Sequence, residues 1–103
     1  MSRRVEIAPR AERQLDAIDR WWRENRTGAP GLLLEEFGAA VELIAAMPLA
    51  GRRYPRAPVP GVRRVRMRAT RYHVYYIVKE SSILIVALWS AVRGSGPHPG
   101  SLR

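Results

Sequence analysis

The run from Val62 to Ala91 constrains this chain more than any other: VRRVRMRAT, RYHVYYIVK and ILIVALWSA follow one another with only short breaks. In the first segment Val65 and Met67 alternate with Arg64, Arg66 and Arg68. Side chains on a strand alternate between its two faces, so the spacing predicts a half-buried strand with guanidinium groups in a row along its second face. The next two segments, His73 to Lys79 and Ile83 to Trp89, are rich in β-branched and aromatic residues and apolar at both parities. That pattern predicts interior strands covered on both faces. Ala69-Thr70-Arg71 and Glu80-Ser81-Ser82 are short enough to be hairpin connections. The expected centre of the fold is therefore an antiparallel meander with arginines along its first strand.

Upstream, Val5-Glu6-Ile7 alternates as a short strand ended by Pro9, a residue suited to the first turn of a helix, where its missing N–H costs nothing. From Pro9 to about Asn25, the apolar residues Ala11, Leu15, Ile18 and Trp22 recur at helical spacing, and Asp16–Arg20 and Asp19–Arg23 are acid-before-base pairs one turn apart. Trp21 lies about 100° around the helix from Trp22, so the two cannot share the centre of one stripe. After a Gly/Pro turn, Pro30 is expected to open a second helix with the stripe Leu33, Phe37, Ala40, Ile44 and Met47, stopped by Pro48 and Gly51. Leu34 and Val41 widen that stripe beyond what one sheet face needs.

The order is strand, helix, helix and three strands. It predicts an α+β fold, β-α-α-β-β-β, with a two-helix hairpin packed on one face of a mainly antiparallel sheet. The strand at Val62 is expected to run antiparallel to the first, because the helical hairpin returns the chain to the end of the sheet it left. Residues 1–93 make the domain, and residues 94–103 a Gly/Pro/Ser-rich C-terminal tail. The connection from Pro48 to Gly61 carries four prolines and Arg52, Arg53 and Arg56. At that length it is expected to be functional or disordered.

Charge narrows the choice of partner. The 103-residue chain has a formal charge of +9, very unevenly placed. Residues 1–42 hold 7 basic and 8 acidic side chains, whereas residues 43–103 hold 11 basic ones and the single acid Glu80. A one-sign field over part of the surface predicts a polyanionic or acidic partner. There is no cysteine, hence no disulfide framework and no thiolate metal site. Nothing resembles a signal peptide or a membrane span, and the chain reads as a soluble cytoplasmic protein without membrane contact.

Candidates for acid–base chemistry are few. His73 shares strand parity with Tyr75 and Ile77, and could face a groove or be satisfied within the sheet; His98 falls in the tail. The second half has no carboxylate cluster, so a hydrolytic metal site is not expected, and no Gly-rich phosphate loop or nucleophile triad is present. Nothing calls for a cofactor. The arginine row can be a solvated face or a clamp for phosphates or carboxylates.

Four segments carry a family resemblance. They are F-G-x-A-x-x-L-I-x-x-M-P-x-x-G-R from Phe37 to Arg52, V-R-R-V-R-M from Val62, Y-H-V-Y-Y-I-V from Tyr72, and I-L-I-V-A-L-W-S-A-V-R-G from Ile83. Together they resemble the RelE/ParE superfamily of type II toxins. The resemblance implies a toxin held inactive by a cognate antitoxin, and two activities divide the superfamily. RelE-like members cut mRNA in the ribosome, usually with a C-terminal aromatic or histidine side chain. ParE-like members poison DNA gyrase. Here Ser90 follows Trp89, where relatives often have histidine, no tyrosine follows Tyr76, and the connection from Pro48 to Gly61 has neither lysine nor glutamate. The resemblance is thus to the ParE-like branch, acting on DNA gyrase and replication. The alternatives are a ribosome-dependent endoribonuclease using His73, Arg64, Arg68 and Arg93, and a plain nucleic-acid-binding module. The expected target-binding set is Arg64, Arg66, Arg68, Arg71 and Arg93. An acidic antitoxin, joined in a hetero-oligomer, is expected at Trp21, Leu34 and Val41.

Overall fold

The computed structural model describes residues 3–91. Its elements are β1 (Arg4–Ile7), α1 (Pro9–Asn25), α2 (Leu32–Ala46), β2 (Arg52–Arg53), β3 (Val62–Met67), β4 (Tyr72–Val78) and β5 (Ser82–Ser90). They form one five-stranded sheet in the order β1-β5-β4-β3-β2, with both helices on one face. This is the expected α+β arrangement with one added strand. Arg93, His98 and the 94–103 tail lie outside the described residues.

Helix α1 begins at Pro9, as the missing N–H predicts, and buries Ala11 and Trp22. Leu15 and Ile18 pack against the same core. Of its two acid–base pairs, Asp19–Arg23 closes at 3.0 Å and Asp16–Arg20 does not. The Trp22 indole N–H donates to the Ala29 carbonyl at 2.8 Å and ties the interhelical turn down. Pro30 belongs to that turn and not to α2, whose first bond runs from the Glu35 N–H to the Gly31 carbonyl. Leu33, Phe37, Ala40 and Ile44 are buried as their spacing predicts. Met47 is not: the helix ends at Ala46, and Met47 leaves helical geometry (φ −134, ψ 79) and points its side chain out, 59% exposed.

Two features of the sheet differ from expectation. β1 pairs parallel with β5, and the two antiparallel steps from β5 to β4 and β4 to β3 turn β3 back into the direction of β1. The strand at Val62 is therefore parallel to the first. The reversal expected of it falls instead to β2, which pairs antiparallel with β3 through Arg52–Arg64 and Arg53–Arg63. A two-residue strand has no periodicity to read, which is why the sequence hides it.

A bulge between Tyr75 and Tyr76 leaves Val86 as an extra residue on β5, since Tyr75 pairs with Ala87 and Tyr76 with Ile85. The slip keeps Ile83, Ile85 and Leu88 under the helices, while Ala87 and Trp89 go to the opposite face. The side chain of Gln14 on α1 accepts the Leu88 N–H at 2.9 Å, beyond the end of β1. No helix among the described residues is long and apolar enough to cross a membrane.

Candidate functional site

The sheet face turned away from the helices collects most of the candidate residues. Register fixes its layout: Arg64 stands opposite Tyr75 and Tyr75 opposite Ala87, while Arg66 stands opposite His73 and His73 opposite Trp89. The strands β3, β4 and β5 contain no carboxylate. Half of this face is roofed by the connection before β3, which is ordered and folds back across it. Tyr54 and Ala57 pack there against Val62, Tyr75 and Ala87. The Tyr54 N–H donates to the Val62 carbonyl at 2.8 Å, and the Tyr54 ring meets that of Tyr75 edge-on at 5.1 Å.

Arg64 belongs to that roofed half. Its guanidinium lies 4.8 Å over the Tyr54 ring and donates a long hydrogen bond, 3.4 Å, to the Tyr75 hydroxyl. Burial pushes the Tyr75 phenol above its ordinary pKa, against the opposing pull of Arg64. Arg63 faces the other way and donates to the Gly51 carbonyl at 2.8 Å, a structural role.

His73 sits at the margin of the roof, its ring 5.9 Å from that of Tyr75. Burial, with Arg64 and Arg66 beside it, lowers its pKa from 6.5 to about 4. It is therefore a neutral imidazole at neutral pH. A base with that pKa accepts a proton poorly, and the acid form needed to protonate a leaving oxygen is scarce at pH 7.

Arg66, Arg68 and Arg71 lie beyond the roof and are exposed. They line one open hollow of about 490 Å³. None of the three makes an ion pair among the described residues. The turn between β3 and β4 that carries Arg71 is held by hydrogen bonds from outside it. The Glu36 carboxylate on α2 accepts the Ala69 N–H, the Thr70 N–H and the Thr70 hydroxyl at 2.8, 2.8 and 2.7 Å. Arg71 itself adopts φ 64, an uncommon left-handed conformation for such a residue. Its N–H donates to the Met67 carbonyl, and its carbonyl accepts the Ala91 N–H at 2.7 Å. Of the five expected target-binding arginines, the fold thus gathers Arg66, Arg68 and Arg71, sets Arg64 apart against tyrosines, and leaves Arg93 outside the described residues.

The apolar candidates do not form one patch. Trp21 is 45% exposed and opens on a hollow of about 700 Å³ with Trp22, Arg26 and Tyr72, which Arg71 also borders; Arg26 lies 5.4 Å over the Trp21 ring. Leu34 is 39% exposed and does not line that hollow. Val41 is half-buried and packs against the core, so it is not a free flank residue. Three further apolar side chains are exposed at and just beyond the C-terminal end of α2: Leu43 and Leu49, which the spacing did not single out, and Met47, which it had placed in the core stripe. Leu43 borders a shallow groove between α2 and β3, floored by Ala40, Val65 and Met67. Its position on the edge of the helical stripe opposite Leu34 was the available signal.

The family model described as the ParE toxin of the type II toxin–antitoxin system, parDE, matches residues 5–93. A search of the curated proteins finds no match. Among solved structures, a chain of the chromosomal ParDE TA system from P. aeruginosa is similar in fold, with a TM-score of 0.66 and 21% sequence identity, over 84% of this chain and 94% of that one.

Proposed function

The chain belongs to the ParE toxin family of type II toxin–antitoxin systems, and from that membership we propose that it inhibits DNA gyrase, and so replication, until a cognate antitoxin binds it. The observation that carries the choice of target is the state of the exposed sheet face. Its one histidine, His73, has a pKa of about 4, and no carboxylate stands on β3, β4 or β5 to complete an acid–base pair. Cleaving RNA needs a proton acceptor and a proton donor matched to working pH. This face offers fixed cations instead, which suits binding. Arg66, Arg68 and Arg71 form the contact surface for the target, with Arg64 at its margin.

The antitoxin is an acidic, amphipathic segment. Leu34, Leu43, Met47, Leu49 and Trp21 offer separated apolar anchors, and an acidic partner would offset the basic second half of the chain. Anchors of this kind supply affinity, while opposite charge steers encounter and sets register. Inducible expression, with plasmid supercoiling and bulk translation followed separately, tests the target. Loss of supercoiling and DNA integrity before any fall in translation is expected. Prompt mRNA cleavage at ribosomes with supercoiling intact would replace this reading with the ribonuclease one.

A further inference from the structure

We propose that the hollow formed by Arg66, Arg68 and Arg71 binds a phosphate group of a polynucleotide backbone, so that the protein touches nucleic acid directly. This rests on the reading of the face as the one that meets the target, and adds the chemistry that the face recognises.

Three guanidinium groups share one hollow, and none of them forms an ion pair among the described residues. The nearest acid in the structure of the turn, Glu36, is already engaged by three donors from Ala69 and Thr70. Like charges around one hollow repel each other, and the non-glycine residue Arg71 at positive φ adds backbone strain. The fold nevertheless holds the arrangement from three sides: Glu36 from α2, Met67 from β3 and Ala91 after β5. Such a site is pre-organised for an anion. A single carboxylate has two oxygens and pairs well with one guanidinium fork. A backbone phosphodiester also carries one charge on two non-bridging oxygens, but sets them tetrahedrally, outside the plane of any one guanidinium fork, so that donors from two arginines can converge on it.

The neighbouring groups suit a polynucleotide better than a lone anion. His73 and Trp89 lie in register beside Arg66, as a neutral imidazole and an indole within the reach of a strand laid over the hollow. Aromatic surface next to a cationic track is how single strands are held without sequence readout.

The test is fluorescence anisotropy of a labelled twelve-nucleotide oligothymidine with the full chain, at several salt concentrations. The variants are Arg68→Gln/Arg71→Gln and, as a control, Arg13→Gln/Arg20→Gln on the exposed side of α1. Both change the net charge equally. The hollow variant should weaken binding by tenfold or more and flatten the salt dependence, and the control should change affinity by less than threefold. Equal losses in the two variants would reduce the effect to diffuse charge and overturn the proposal. Three other results would overturn it as well: no oligonucleotide binding by the wild type, binding of inorganic phosphate alone, and displacement of the oligonucleotide by a polyglutamate peptide as effectively as by unlabelled DNA at equal ionic strength. The assay contains no gyrase, so its failure leaves the gyrase reading to be judged by supercoiling.

Discussion

The phenol oxygen of Tyr76 stands 2.8 Å from the backbone nitrogen of Gly51, accepting its N–H, and donates its own proton to the Pro48 carbonyl at 2.7 Å. The approach leaves no room for a side chain at Gly51. A Cβ there would fall 2.5 Å from the Tyr76 hydroxyl and 2.9 Å from the Arg64 carbonyl. One residue of β4 thereby fixes the chain just after α2 and delivers it to β2, at the edge from which the arginine strand begins.

Removing that hydroxyl leaves one buried backbone group, the Gly51 N–H, and one part-buried group, the Pro48 carbonyl, unpaired. Tyr76→Phe should cost about 2–4 kcal/mol, on the ordinary cost of about 1–3 kcal/mol per unsatisfied buried group. Gly51→Ala should also destabilise, because the atoms it meets include backbone. Urea unfolding of the two variants and their double mutant is the check. Strong non-additivity is expected, since both changes strike one contact.

Stability should fall in two separate steps as pH drops. The folded pKa of His73 lies below its unfolded value, so the unfolded chain takes up a proton first and native stability declines from about pH 6.5 to about pH 4. Burial acts to raise the Glu36 pKa, but its hydrogen bonds from Thr70 and Ala69 together outweigh it and leave it lowered. Its contribution is complete above the ordinary carboxylate value of 4.5 and is lost as pH falls further. Melting temperature against pH should lose its upper slope in His73→Gln and its lower slope in Glu36→Gln.

Charge reversal should separate the arginines. Arg66→Glu, Arg68→Glu and Arg71→Glu alter exposed side chains and should abolish toxicity with stability changed by about 0.5 kcal/mol or less. Arg64→Glu should cost more, because it removes the cation from Tyr54 and places a carboxylate against the Tyr75 hydroxyl. Growth arrest on induction, paired with thermal melts of each variant, distinguishes the two classes.

Leu34 and Val41 should behave differently. Leu34→Asp should keep the fold and weaken antitoxin binding by tenfold or more. Val41→Asp should destabilise the protein itself by about 1–3 kcal/mol, since its side chain packs against the core. Melting curves and titration with the antitoxin segment read the two effects independently.

How much of this was legible beforehand follows from period and length. Helix α1 is readable to its ends because Pro9 and an apolar stripe of four residues both mark it. The β3 arginine row was readable because strict alternation has one structural meaning. β2 was not readable, being two residues within a proline-rich connection. That omission inverted the expected direction of β3. Met47 fits the helical stripe yet is exposed, because a stripe does not reveal that the helix ends one residue earlier. At the candidate site, alternation placed Arg64, Arg66 and Arg68 on one face but could not separate them. Roofing by Tyr54 divides Arg64 from the others, and no local pattern encodes a contact made across a folded-back connection. Glu36 was invisible for the same reason: its partners, Ala69 and Thr70, lie more than thirty positions away.

The most direct measurement is the supercoiling of relaxed plasmid by purified gyrase in the presence of the purified protein, the Arg68→Glu variant, and the protein saturated with its antitoxin. Inhibition by the wild type alone, lost in the variant and reversed by the antitoxin, is the predicted result. Undiminished supercoiling at toxin concentrations well above those of gyrase, with the protein shown to be folded and free of antitoxin, would contradict it.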